Sequence, residues 1–491
     1  MRCSGHSRMI FTSFEYLLFL PAVVLLYWLL PQRFRLPMLL LASYFFYMSW
    51  IPVFGLLILG LTLFNWLWGQ LLWRSEAKRR HIFAIGVAIN LLCLGYFKYT
   101  NFFISSFEAL LRPITHSNSH LALNIILPLG ISFFVFEFIH YLFEINRGRK
   151  PIDSFVLFAL FAAFFPTQIA GPIKRFPDFQ AQMQEEKKIS LSYFDEGIPL
   201  IIMGVAKKLL LADNLAVLVD MMSNTHSSYG SPETWLMAYA FAFQIYFDFS
   251  GYTDIGRGSA LLFGYHIPIN FNLPYIASNM SDFWRRWHIS LSTWLRDYLF
   301  IPLGGSRGSK LNTDRNLLLT MALGGLWHGA SWNFVVWGIY HGLCLIVHRN
   351  FSNWRENTTH LRAFFDSKLF NILSIVLTFH AVCIGWVFFR ITDIGAAFSM
   401  VKKMVFLSPI FTKAEAGHFL VFRHELPVII PTVMVIVALL LVATPVVGYL
   451  RQSGFFHRVP APAKALYFAI VILSIVTFCP DNSTPFIYFQ F

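Results

Sequence analysis

The run PVFGLLILGLTLFNWLWGQLLW, residues 52–73, contains no Asp, Glu, Lys or Arg. About 20 consecutive apolar residues, rising 1.5 Å each as a helix, cover the hydrocarbon core of a bilayer. Directly behind the run comes Arg74-Ser75-Glu76-Ala77-Lys78-Arg79-Arg80. An apolar span closed by a basic cluster is the pattern of a transmembrane helix with a cytoplasmic flank. Outward from it, similar runs recur at 14–30, 36–51, 82–99, 120–144, 154–172, 196–223, 233–265, 316–348, 368–389, 427–450 and 463–479. Of these, 36–51 is short, 154–172 ends in Gly171-Pro172, and 233–265 and 316–348 are each too long for one span. The expected fold is all-α and polytopic, with about 11 transmembrane helices.

Composition agrees. Of 491 residues, 56% are hydrophobic, 18% aromatic and 13% charged. A soluble domain carries about 25% charged residues to face water, so a soluble globule is excluded. The net charge of +13 sits in short loops between apolar runs, which implies a bilayer partner and no nucleic acid. Arg33 and Arg35, the 74–80 cluster, and Arg147, Arg149 and Lys150 all fall on one side if the N-terminus is outside. An odd number of crossings then puts the C-terminus inside. Residues 1–8 are unlike the apolar chain after them, and Met9 could serve as an alternative start. No small-residue cleavage site comes after 14–30, which therefore reads as a first transmembrane helix, not a removable signal. Five scattered cysteines lack disulfide or zinc spacing, and no metal set is expected.

Residues 1–491 show no internal repeat and no soluble domain, which implies one membrane-embedded domain with its core at 120–350. The hydrophilic loop 173–195 is too short to fold alone. Segments 101–113 and 393–407 have the look of interfacial helices. Segment 281–300 is too charged to face lipid, so it is expected to be buried or re-entrant, where protein or water surrounds it.

That segment and the one after it carry the chemistry. With Ser281 as N-cap and Asp282 in the first turn, a helix over 281–300 would align Arg285, His288, Ser292 and Arg296 on one polar stripe. Pro302 and Gly304-Gly305 would end it. The second site, Leu323-Gly324-Gly325-Leu326-Trp327-His328-Gly329-Ala330-Ser331-Trp332, has no charged neighbour. Its small residues allow close approach, and its indoles could wall a narrow slot. A neutral imidazole there could act as a general base. Plainer accounts exist for each feature. A lone histidine in an apolar helix is more often packed with one hydrogen bond than catalytic, and His140, His341, His348 and His380 are assigned so. His288 could sit at headgroup level, and the arginine stripe could contact lipid phosphate. Gln244, Asp248 and Asp254, in a nearly membranous run, suggest either a hydrated passage or pairing with Arg285 or Arg286. Glu137, in Phe136-Glu137-Phe138-Ile139-His140, adds another acid of this kind. His-Glu-x-x-His and Gly-x-Ser-x-Gly are absent. Thr293 and Asn333 stand five residues after the two histidines, where the soluble glycerolipid acyltransferase signature needs Asp.

The stretches Asp282 to Tyr298, Ile301-Pro302-Leu303-Gly304-Gly305 and Gly325-Leu326-Trp327-His328-Gly329-Ala330 resemble the membrane-bound O-acyltransferase (MBOAT) family, most closely its alginate-acetylating bacterial branch. So do Leu127 to Phe134, Phe165-Pro166, Ile169 to Pro172, Phe247 to Tyr252, and Phe486-Ile487-Tyr488-Phe489-Gln490-Phe491. The resemblance runs nearly end to end. It implies helices around a central tunnel, His328 as catalytic residue and His288 as its partner. It further implies an acyl thioester donor on the cytoplasmic side, most simply acetyl-CoA, with no bound cofactor. The acceptor would be a hydroxyl of an extracytoplasmic polysaccharide, reached through a periplasmic or extracellular hydrolase-like partner, in the cell inner membrane. On this basis Trp327 and Trp332 are expected as slot walls. Arg285, Ser292 and Asp248 are expected as substrate-binding residues. The near alternative is D-alanyl transfer from a carrier protein to teichoic acid. From other classes, a proton-coupled transporter using His288, His328, Asp248 and Asp254, or a structural subunit of an envelope complex, would carry the same polar groups.

Overall fold

The computed structural model describes residues 9–115, 121–224, 230–406, 459–480 and 485–489. Among these every regular element is helical. Among the described residues, four stretches are long and apolar enough to cross a membrane: Pro52–Arg74, Glu76–Ile114, Lys368–Arg390 and Ala461–Phe478. The expected span 427–450 lies outside the described residues.

The chain forms two compact units. The first comprises residues up to Val205 together with Tyr252–Ile269. It opens with α1 (Phe14–Leu29), capped by Ser13, whose hydroxyl accepts from the Tyr16 N–H. Helices α2 (Gln32–Met48) and α3 (Pro52–Arg74) come next. α4 (Arg79–Leu94) continues through a wide turn at Gly95–Tyr99 into α5 (Thr100–Thr115). The stretch expected to lie at the interface, 101–113, is thus the end of one long helical run. α6 (Ile131–Asn146) starts later than the expected span 120–144, because Gly130 adopts a left-handed conformation (φ 69°) and the preceding residues 121–128 have no regular structure. α7 covers only Phe155–Ala163. Pro166 disfavours helix at Phe165, and turns replace the rest of the expected span 154–172. α8 (Phe176–Gln184) and α9 (Leu191–Ala206) complete the unit. Within it Lys174 Nζ lies 2.7 Å from Glu137 Oε1 and donates to Thr167 Oγ1 at 2.7 Å, so that acid is paired locally.

The second unit comprises Ala206–Gly251 and Asn270–Gln490. A wide turn at Lys207–Ala212 leads into α10 (Asp213–Asn224). α11 (Ser231–Leu261) is a single helix of 31 residues where the sequence suggests a run too long for one span. α12 (Met280–Arg286) and α13 (Ile289–Leu295) are short. α14 (Lys310–His328) and α15 (Trp332–Asn357) divide the over-long run 316–348 at Gly329-Ala330-Ser331. The short α16 (Arg362–Phe365), then α17 (Lys368–Arg390), α18 (Ile394–Phe406) and α19 (Ala461–Phe478), come after them. α14 and α15 pack closely: a Cβ placed on Gly325 would strike the Phe334 carbonyl oxygen, and one on Gly338 the Met321 carbonyl oxygen. The small residues therefore set the backbone separation, as the sequence implies. The core of this unit is aromatic, with Trp287, Trp337 and Trp386 fully buried.

Candidate active site

The expected continuous helix 281–300 is broken at its centre. Asn279, not Ser281, caps α12: its Oδ1 accepts from the Asp282 N–H at 2.8 Å. Trp287 is extended, and His288 takes a left-handed conformation (φ 43°) before α13 begins. Asn270 causes the restart. Its carbonyl accepts from Ile289 N–H (2.9 Å), and its Oδ1 accepts from Ser290 N–H (3.1 Å) and Ser290 Oγ–H (2.9 Å). Two of the N–H groups that a helix start leaves orphaned are thereby satisfied.

The same oxygen fixes His288. Its Nδ1 lies 3.2 Å from Asn270 Oδ1. An atom that accepts from a backbone N–H must be the amide oxygen, so Nδ1 carries the proton and the lone pair of the neutral ring is on Nε2. Nε2 is buried and has no hydrogen-bond partner among the described residues. His288 is fully buried, which sets aside a headgroup-level position.

His328, the last residue of α14, is also buried. The two imidazole centroids are 6.5 Å apart. Trp327 contacts both rings, at 5.0 Å from His328 and 6.2 Å from His288. Tyr488 does so from the C-terminal segment, at 5.6 and 6.4 Å. Phe249 stands edge-on to His288 at 4.7 Å, and Trp337 and Phe389 lie 5.0 and 5.4 Å from His328. Trp337 Nε1 is buried with no acceptor among the described residues.

Other expected site residues lie elsewhere. The stripe Arg285–His288–Ser292–Arg296 does not form, because the break at Trp287-His288 rotates its halves apart. The Arg285 side chain is 65% exposed and pairs with Asp282, as does Arg286. Arg296 pairs with Asp297. Ser292 Oγ donates to the Trp287 carbonyl at 3.1 Å, a bond across the break. Trp332 is 55% exposed, and Trp337 and Tyr488 stand 5.0 and 5.6 Å from His328. Asp248 is buried and pairs with neither Arg285 nor Arg286. It is 3.0 Å from Lys208 Nζ and accepts the Ile487 N–H at 2.8 Å. Asp254 lies beside Arg257 within the first unit. His341, assigned to packing with one hydrogen bond, is fully buried with neither ring nitrogen bonded among the described residues; its ring lies 4.7 Å from that of Trp337, tilted by 60°. His380, assigned to packing with one hydrogen bond, has two partners, Tyr239 OH and the Val376 carbonyl. Asn270, Lys208, Asp213 and Tyr488 have no role assigned from sequence; of the four, only Tyr488 falls within a stretch that carries the family resemblance.

A buried pair of imidazoles packed among aromatic rings accompanies a decisive match. Residues 107–389 match the membrane-bound O-acyltransferase family. The chain belongs to that family. It is 42% identical over 402 residues to the "Probable alginate O-acetylase AlgI" of Pseudomonas aeruginosa, covering 81% of this chain and 75% of that protein. It is 37% identical to the Azotobacter vinelandii protein of the same description, over 98% of this chain and 100% of that one. It is 33% identical to the "Peptidoglycan O-acetyltransferase" of Helicobacter pylori, over 96% of this chain and 95% of that one. The MBOAT chain is therefore a membrane-bound enzyme of the acyltransferase class.

Proposed function

We infer that this MBOAT chain moves an acetyl group from acetyl-CoA, bound from the cytoplasm, to hydroxyls of an extracytoplasmic glycan, with a periplasmic hydrolase-like partner completing delivery. The observation that carries the reading is the buried pair of imidazoles, 6.5 Å apart, with the basic nitrogen of one defined by Asn270. Relatives named for alginate and peptidoglycan O-acetylation, matched over three quarters or more of their lengths, support the acetyl group and a glycan acceptor.

His328 removes the proton from the acceptor hydroxyl as its oxygen attacks the thioester carbonyl. The new O–C bond forms, the C–S bond breaks, and His328 returns the proton to the departing sulfur. His288, with its lone pair on Nε2, accepts a hydrogen bond while neutral. It therefore orients the hydroxyl or His328 and does not donate to the oxyanion. The Trp337 N–H, beside His328 and with no acceptor among the described residues, is placed to donate to the carbonyl oxygen as charge develops. The aromatic walls keep water from the thioester. A chain of about 11 crossings around a tunnel in the inner membrane, N-terminus outside, would let the two substrates meet from opposite faces.

The test uses purified full-length chain in proteoliposomes with labelled acetyl-CoA and a hydroxylated glycan acceptor. Label should pass to acceptor, partner or protein, and His328→Ala should slow it on the order of 10²-fold or more. Transfer from a charged carrier protein, with none from acetyl-CoA, would move the assignment to aminoacyl transfer. Unchanged transfer in His328→Ala would end the catalytic assignment, and loss of a substrate flux instead would favour a transporter.

A further inference from the structure

Three buried charges meet at Asp248, one residue before Phe249, which packs edge-on against His288. Lys208 Nζ is 2.8 Å from Asp213 Oδ1 and 3.0 Å from Asp248 Oδ1. All three residues are buried. The wide turn Lys207–Ala212 makes the first contact possible. Its i→i+5 bond, from the Asp213 N–H to the Lys208 carbonyl, sets the two side chains on the same flank of the chain. One ammonium facing two carboxylates leaves Asp248 with acceptor capacity to spare, and its second oxygen takes the Ile487 N–H at 2.8 Å. The next residue of α11, Phe249, lies 5.7 Å from the Phe486 ring and 4.6 Å from the Tyr488 ring. Asp248 and Phe249 thus grip three consecutive residues of the C-terminal segment, and the third of them, Tyr488, faces both imidazoles.

We propose that Lys208, Asp213 and Asp248 form a clamp that seats the C-terminal segment as a wall of the reaction chamber, with Asp248 a positioning residue that acts through Tyr488. The physical case rests on cost. Burying charges in a membrane protein is unfavourable unless they are paired. A carboxylate that is paired and also accepts a backbone N–H makes a stronger bond than a neutral acceptor would. Segment 485–489 contains a single short turn, Ile487–Phe489, and its backbone needs partners outside itself. Asp248 supplies one at the position before the residue that must be placed. Lys208 neutralises Asp248, and Asp213 holds the lysine on the turn. This inference rests on the acyl-transfer reading for its activity readout, and on geometry alone for its second readout.

Asp213→Ala and Asp248→Ala both remove one carboxylate and leave one lysine facing one aspartate, so their charge balance is the same. They differ in the Ile487 contact. Each is made in the full chain and assayed for transfer from labelled acetyl-CoA. Each is also combined with Ile487→Cys, native cysteines replaced, and labelled with a maleimide. Asp248→Ala should lower kcat roughly 10- to 100-fold, as displaced positioning groups do, and should expose the Ile487→Cys thiol to rapid labelling. Asp213→Ala, which keeps the Asp248–Ile487 bond, should lose less in kcat than Asp248→Ala and leave the thiol protected. In a Tyr488→Ala background the Asp248→Ala penalty should disappear. Equal loss in the two aspartate variants with the thiol still protected would overturn the clamp, as would a full Asp248→Ala penalty without Tyr488. If the acyl-transfer reading itself is wrong, no variant moves label from acetyl-CoA, yet the thiol pattern still decides whether the clamp exists.

Discussion

Asn270 is the residue on which the site's protonation pattern turns. One side-chain oxygen takes the His288 Nδ1–H, the Ser290 N–H and the Ser290 hydroxyl. Removing it strands buried donors at a cost of about 1–3 kcal/mol each and frees the imidazole to exchange tautomers. Asn270→Ala is therefore expected to slow acetyl transfer about tenfold or more, since a base must present the correct nitrogen. Asn270→Asp, which retains an acceptor at the same place, should recover part of that loss. Initial rates on protein of matched expression and thermal stability check both. Equal rates for Asn270→Ala and the parent would show that the tautomer does not matter. His328 and Trp327 are legible in the sequence because they lie in one short motif. Asn270 is not: it stands eighteen residues before His288, and nothing in its neighbourhood marks it as the acceptor for a break elsewhere.

Between elements, the decisive packing is α14 against α15, because it places His328 at the end of one helix and Trp337 on the other. Gly338 allows it: a methyl group there would be driven into the Met321 carbonyl on the facing helix. Gly338→Ala should force the pair apart, costing about 1–3 kcal/mol as overpacking does, with a lower Tm in detergent and reduced transfer. Gly60→Ala on α3 is the contrasting case, since nothing lies within 4 Å of its would-be Cβ. It should match or exceed the parent Tm, alanine being the better helix former by up to about 1 kcal/mol. A Gly338→Ala protein as stable and active as Gly60→Ala would refute the close-approach account. Element existence is readable where it rests on local hydropathy, as at 52–73, 368–389 and 463–479. Element breaks are not. The end of α7 precedes Pro166, a local signal, but the restart at α13 depends on a side chain supplied from outside the segment, and Tyr488 reaches the imidazoles only through tertiary folding.

Over the whole molecule, charge placement gives an orientation that can be tested. Arg33 and Arg35 lie where α1 passes into α2, Arg74 to Arg80 where α3 passes into α4, and Arg147 to Lys150 between α6 and α7. The stretches between them, 36–73 and 81–97, with 113–146 after α5's Arg112, contain no Lys or Arg. If α1, α2, α3, the joined run α4–α5, and α6 each cross once, all three basic clusters emerge on the same face. The bias of basic loops would then make that face cytoplasmic. Each lysine or arginine held near an anionic leaflet gains about 1 kcal/mol, so several together strongly oppose the inverted insertion. The order also sends residues 121–128 to the opposite face, where Leu123 is half exposed. Single cysteines at Lys78 and Leu123, in a chain without its native cysteines, report the two faces. An impermeant maleimide added to intact cells with a permeabilised outer envelope should label Leu123→Cys and miss Lys78→Cys until the inner bilayer is opened. The reverse pattern would place the N-terminus inside and put the thioester donor on the wrong side of the proposed reaction. Labelling of both would mean that one of the helices in this count does not cross.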